Sequence, residues 1–194
     1  MKLDFLEIGT SDFDTLCQSS LGSGMVIEPI KYYIDRLPSR DNLIKLNIAI
    51  SPCDCETTVD MYYIPPDVIA DKGLPDWLKG CNSINRPHPQ HSVYPYYVKD
   101  TVQSRPLFKV LEENQVEGIE HLKIDTEGCD TDILFNYYHY LYNKPTSHRP
   151  RTITFETAHA SESDIGETLE LYTGFGYKIH KNTGTDIVLK WTKI

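Results

Sequence analysis

The chain has 194 residues, of which 40% are hydrophobic and 24% charged, the balance of a folded globular protein and not of a disordered, fibrous or low-complexity one. Lys and Arg number 19 against 28 Asp and Glu, a formal charge of −9 that no basic cluster interrupts, so no nucleic-acid partner is expected. No apolar run approaches the ~20 residues of a membrane span and no signal-peptide core opens the chain, which leads us to expect an intracellular, cytoplasmic protein. The length suits a single domain over 1–194. Five cysteines, without paired C-x-x-C spacing, are expected to be free thiols, with Cys53 and Cys55 the pair that merits a metal test.

Short apolar runs alternate with segments of helical period, the signature of an α/β fold whose mostly parallel sheet carries helices on both faces. In chain order the pattern predicts strands at Leu3 to Ile8, Met25 to Glu28, Ile44 to Ile50, Val59 to Ile64, His121 to Asp125, Thr152 to Glu156, Tyr177 to His180 and Asp186 to Trp191. The last two read as a C-terminal antiparallel hairpin. The clearest helices are Pro106 to Glu113, Asp130 to Tyr142, where Asp130 is placed as N-cap, and Ser163 to Tyr172. Residues 65–98 break the alternation, for they hold six of the 12 prolines together with Trp77, Tyr94, Tyr96 and Tyr97. A loop of that length inside a domain is usually a lid or binding surface.

Two features suggest a ligand at the carboxyl edge of the sheet. Gly9 follows the first strand, where backbone approaches a ligand closely, although the full G-x-G-x-x-G phosphate signature is absent. Glu28 closes the second strand about twenty residues later, where a carboxylate accepts both hydrogen bonds of a ribose diol. Together they point to a nucleoside without a pyrophosphate. As a strand-end acid Glu28 is expected to be exposed, so that its replacement would leave stability nearly unchanged. Further on, Lys123 and Asp125 alternate onto one side of their strand, and an acid at that strand's end fits the same ligand crevice.

The segments LEIGTSDFDTL (Leu6 to Leu16), VIEP (Val26 to Pro29), NIAIS (Asn47 to Ser51), WLKGCNSIN (Trp77 to Asn85), HLKIDTEGCDTDIL (His121 to Leu134) and TFE (Thr154 to Glu156) together resemble the FkbM family of S-adenosylmethionine-dependent methyltransferases. The resemblance spans nearly the whole chain in order, and its KID-x-EG core is the family-specific part. It implies a Rossmann-like, seven-stranded sheet with one antiparallel strand and O-methylation of a hydroxyl, commonly on a sugar or polyketide. A sugar or glycan is therefore the expected acceptor.

Carried over by residue, the resemblance implies that Glu7 and Gly9 lie beneath the methionine part of the cofactor, with Ser11 and Asp12 completing the loop. Glu28 would hold the ribose, Ala49, Ile50 and Ser51 would wrap the adenine, and Ser83 would face the cofactor. Phe13 stands where the family has a second loop glycine. The chain starts almost at its first strand, without the helices that precede it in many methyltransferases, as one covalently linked domain of a larger polypeptide would.

A sugar hydroxyl needs in-line positioning and a base or cation to take up its proton. If the strands ending in Asp125 and Glu156 are parallel neighbours, the two acids finish side by side, balanced by Lys123 or by Mg²⁺ or Mn²⁺ bridging them. His159 is the reserve base. Trp77, Tyr94, Tyr96 and Tyr97 offer flat faces for sugar rings, and Glu127 joins them as an acceptor contact. Two other readings stand at this point: a metal-dependent glycosyltransferase, suggested by the triplets Asp125-x-Glu127 and Asp130-x-Asp132, and a non-catalytic cofactor-binding domain.

Overall fold

The structure is a computed structural model that describes residues 1–11 and 15–192; Asp12 and Phe13 lie outside the described residues. In chain order the elements are β1 (Lys2–Ile8), α1 (Leu16–Ser19), β2 (Gly24–Ile27), α2 (Lys31–Arg36), β3 (Leu43–Leu46), β4 (Ala49–Ile50), β5 (Thr57–Tyr63), α3 (Pro66–Asp71), β6 (Val98–Arg105), α4 (Leu107–Glu113), β7 (Gly118–Ile124), α5 (Asp130–Tyr142), β8 (Thr152–Glu156), α6 (Glu162–Phe175), β9 (Tyr177–Asn182) and β10 (Asp186–Trp191). Seven strands form the main sheet in the order β3-β2-β1-β7-β8-β10-β9. β10 runs antiparallel to both of its neighbours, and the pairs on the other side, from β3 to β8, are parallel.

Strand alternation sends Met25 and Ile27 to one face of this sheet and Val26 to the other. The first face is covered by α4, α5 and α6 through side chains such as Val110, Leu134, Tyr137 and Tyr172. Phe5, Val26 and Leu43 on the second face pack with Cys17 of α1 and Ile34 of α2. Full burial of each large aliphatic side chain contributes about 1.5–3 kcal/mol, which makes these two layers the main stabilising force. Polar ends are satisfied inside the core: the Tyr172 hydroxyl donates to the Leu134 carbonyl at 2.9 Å and that of Tyr177 to Pro150 at 2.6 Å.

The helix ends follow from local chemistry. Ser161 Oγ accepts the Asp164 N–H and opens α6, which Gly176 closes in a left-handed conformation, φ 102°. In α5 the N-cap is Cys129, not Asp130. Asp130 sits one residue inside, and its carboxylate takes up another task described below.

Three expectations need correction. The strand expected over Ile44 to Ile50 divides, because Asn47 Nδ2 donates to the carbonyls of Glu28 and Pro29 at 2.9 and 2.8 Å and turns the chain away from β2. Its second half, β4, joins a separate three-stranded sheet, β4-β6-β5, to which the strand expected at Val59 also belongs. Cys53 and Cys55 are joined as a disulfide, their Cα atoms 5.5 Å apart, within the span such a bond closes, while Cys17, Cys81 and Cys129 are free. No described helix is long and apolar enough to cross a membrane.

Residues 65–98 form α3 and short turns around a small core of their own, in which Ile64, Ile69 and Leu78 are buried against Val93, Tyr96 and Tyr97. The Ser83 hydroxyl, bonded to the Glu127 carbonyl at 2.8 Å, ties the excursion to the loop after β7.

Candidate active site

Strand order reverses between β1 and β7, the position where open α/β sheets bind ligands beyond their carboxyl ends. Gly9 takes φ 77°, and a Cβ there would lie 1.8 Å from the carbonyl oxygen of Asp125, so only glycine lets the two strand ends close up. Ser11 and Glu127 also adopt left-handed backbone, φ 44° and 56°, unfavourable for residues with a side chain and concentrated here at the two loops that face each other.

Between these loops lies a cavity of about 400 Å³. Of the residues singled out in the sequence, Gly9, Ser11, Glu28, Ala49, Ile50, Trp77, Lys123, Asp125, Glu127, Glu156 and His159 line it. Sequence reasoning missed Thr10, Ile27, Pro29, Ile48, Met61 and Asn82, which are also part of the wall. Thr10, Ile27, Pro29, Ile48 and Asn82 stand inside quoted motifs and could have been read from them; Met61 reaches the cavity only through the smaller sheet.

The remaining residues stand behind or beside the wall. Glu7 is fully buried; its Oε2 accepts the Leu16 N–H at 2.8 Å and its Oε1 meets Lys123 Nζ at 3.3 Å. Burial pushes its carboxyl above the usual range and Lys123 pulls it back. Ser51 Oγ accepts the Cys53 N–H and fixes the turn after β4. Ser83 donates its hydroxyl to the Glu127 carbonyl at 2.8 Å and so sets the height of that loop. Tyr94 and Tyr97 line a second cavity, and Tyr96 packs in the small core.

Glu28 is 2% exposed, which overturns the expectation of an exposed acid. Its Oε2 accepts the Ser11 N–H at 3.0 Å and its Oε1 accepts that of Ile30 at 2.8 Å, so the carboxylate joins the β1 and β2 loops. Burial raises its pKa to about 7, against the pull of these backbone donors. The Thr10 backbone is a third donor to it, and the four acceptor positions of a carboxylate leave room for a ligand hydroxyl beside these three.

At the other end of the cavity the carboxylates gather. Asp125 lies one residue past β7, in register with Glu156 at the end of β8, since Ile124 pairs with Phe155. Its Oδ2 faces Lys123 Nζ at 3.8 Å. Glu127 Oε2 is 2.9 Å from His159 Nε2, and the ligand atoms of Glu127, Glu156 and His159 all fall within 4.8 Å of one another. Burial first, then neighbouring acids, raise Glu127 to about 7 and Glu156 to about 8. Asp130, almost fully buried, holds this end together: Oδ2 accepts the N–H and hydroxyl of Thr126 at 3.2 and 2.7 Å, and Oδ1 accepts the Glu156 N–H at 3.3 Å.

The cavity thus has a buried carboxylate, Glu28, at one end and the acids Asp125, Glu127 and Glu156 with His159 at the other. A family model for the methyltransferase FkbM domain matches residues 7–179. The chain belongs to the FkbM methyltransferase family. Compared with curated proteins and with solved structures, it matches none. Membership makes this a methyltransferase, for which S-adenosylmethionine is the usual methyl donor, and it removes the glycosyltransferase reading. Asp130 agrees with that, because its carboxylate is spent on Thr126 and Glu156. The FkbM sheet has the architecture expected from the sequence, with the hairpin β9–β10 at one edge.

Proposed function

We propose that the protein transfers the methyl group of S-adenosylmethionine to a hydroxyl of a sugar or glycan. The observation that carries this reading is a single cavity with Glu28 at one end and the proton-accepting group Glu127, Glu156 and His159 at the other. S-adenosylmethionine supplies an electrophilic methyl on a sulfonium. Glu28 would accept hydrogen bonds from the ribose hydroxyls, and Ile27, Ile48 and Ile50 would flank the adenine. Gly9 admits the methionine part against bare backbone. The acceptor oxygen would lie in line with the methyl–sulfur bond; as the O–CH₃ bond forms, Glu127, Glu156 or His159 takes the hydroxyl proton.

Asp125, whose charge Lys123 balances at 3.8 Å, would share in taking up that proton. Two carboxylates and an imidazole also suit a divalent cation, so any Mg²⁺ or Mn²⁺ would be held by Glu127, Glu156 and His159. The test is incubation with S-adenosylmethionine and a panel of glycans, with and without exhaustive chelation. The reading expects one added CH₂ on a glycan by mass. Unmodified glycans across the panel, with the cofactor bound, would overturn the glycan as acceptor. Activity lost on chelation and restored by Mg²⁺ or Mn²⁺ assigns the cation; activity retained leaves Lys123 as the counter-charge.

A further inference from the structure

A second cavity of about 430 Å³ lies on the excursion beside the first. Its walls include Tyr62, Arg86, Tyr94, Tyr97 and Lys99. Three tyrosine rings with polar edges suit a carbohydrate. The two cavities share a seam at Ser83, whose backbone is bridged to Tyr62 and whose hydroxyl is bonded to the Glu127 carbonyl. Tyr97 stands at the same seam, within electrostatic reach of Cys81 and Glu127 of the first cavity.

The charges of the two cavities are opposite. The first presents Asp125, Glu127 and Glu156, whereas the second presents two cations and, among its lining residues, no acid. Of these cations, Lys99 is committed to Asp60 at 2.9 Å. Arg86 donates one N–H to the Tyr94 hydroxyl at 3.0 Å, which orients the guanidinium, and among the described residues no carboxylate lies within ion-pair distance of it. That leaves one uncompensated positive charge on a planar donor fork, in a chain of formal charge −9.

We infer that the second cavity is a subsite for an acidic sugar unit of the acceptor, one carrying a single carboxylate, which Arg86 recognises while a neighbouring neutral unit enters the first cavity. The inference rests on the glycan reading above. One positive charge matches a monoanion better than a phosphate dianion. Among its lining residues the first cavity offers an acidic unit acids and no free cation, since Lys123 already faces Glu7 and Asp125, so the two cavities together fix which end of the acceptor is methylated.

The test titrates the S-adenosylhomocysteine-loaded protein with an aldobiouronic acid, one uronic acid unit joined to one neutral sugar, and with its carboxyl methyl ester, a neutral molecule of nearly the same shape. The wild-type chain should bind the acid at least about 10-fold more tightly, and Arg86→Gln should abolish the preference. Arg86→Lys should recover only part of it, having lost the fork. Equal affinity for acid and ester, binding of neither, or a preference that survives Arg86→Gln overturns the subsite. An Arg86-dependent preference with no methyl passed to any glycan upholds the subsite and removes the acceptor assignment, so the two failures are told apart.

Discussion

Asp125 and the group beyond it set the chemistry through single side chains. Asp125→Asn keeps the shape that fills the gap beside Lys123 but removes the charge, so kcat should fall by ~10²–10⁴-fold with cofactor affinity largely kept. Full activity in that variant would take Asp125 out of the site. Glu127 and Glu156 hold their protons until about pH 7 and 8, so a carboxylate base becomes available only as pH rises through that window. A rate that climbs between about pH 6 and 8 is expected, and a flat profile would place the proton acceptor elsewhere. Glu28 acts on stability as well as binding. Its removal orphans the Ser11 and Ile30 N–H groups, each at about 1–3 kcal/mol, so Glu28→Ala should lower the melting temperature measurably.

At the scale of elements, β8 and β10 have the bounds their apolar alternation predicts, and β1, β2 and β7 lie within a few residues of theirs, because each buries at least one face and so carries a local apolar signal. β6 was not legible. Its sequence, Val-Lys-Asp-Thr-Val-Gln-Ser-Arg, is exposed along most of its length, so no buried face imposed a pattern. The excursion was legible as an excursion, yet its inner core depends on contacts between distant residues such as Ile64 and Tyr97. The site was readable where it hangs on strand ends, at Gly9, Glu28, Asp125 and Glu156. The pairing of Glu127 with His159, and the hold of Asp130 on both loops, arise from the closeness of β7 and β8 loops that no spacing announces. Trp77 belongs to this scale too: it is 63% exposed on a short turn at the cavity wall. Trp77→Ala should raise the acceptor KM more than it alters cofactor affinity, and unchanged constants would reduce it to a surface residue.

The whole molecule carries a cost in stability at the cavity. Glu28, Glu127 and Glu156 titrate near 4.5 when unfolded, and near 7, 7 and 8 in the folded chain. Between those values the folded chain binds more protons, so stability present below about pH 4.5 is lost as pH rises through 7 to 8. The melting temperature of the ligand-free protein should fall from pH 5 to pH 8; a rise across that range would mean that these acids are not buried as described. A bound sulfonium offsets part of the loss, because its positive charge favours the ionised acids. The central claim is that the crevice between Gly9 and Glu28 receives the nucleoside of the methyl donor, and calorimetric titration with S-adenosylhomocysteine tests it most directly. The wild-type chain should bind at one site, and Glu28→Ala, or Glu28→Gln where the alanine variant does not fold, should weaken it by roughly 1.5–3 kcal/mol. No binding by the wild-type chain, or unchanged affinity in a folded variant, would contradict it.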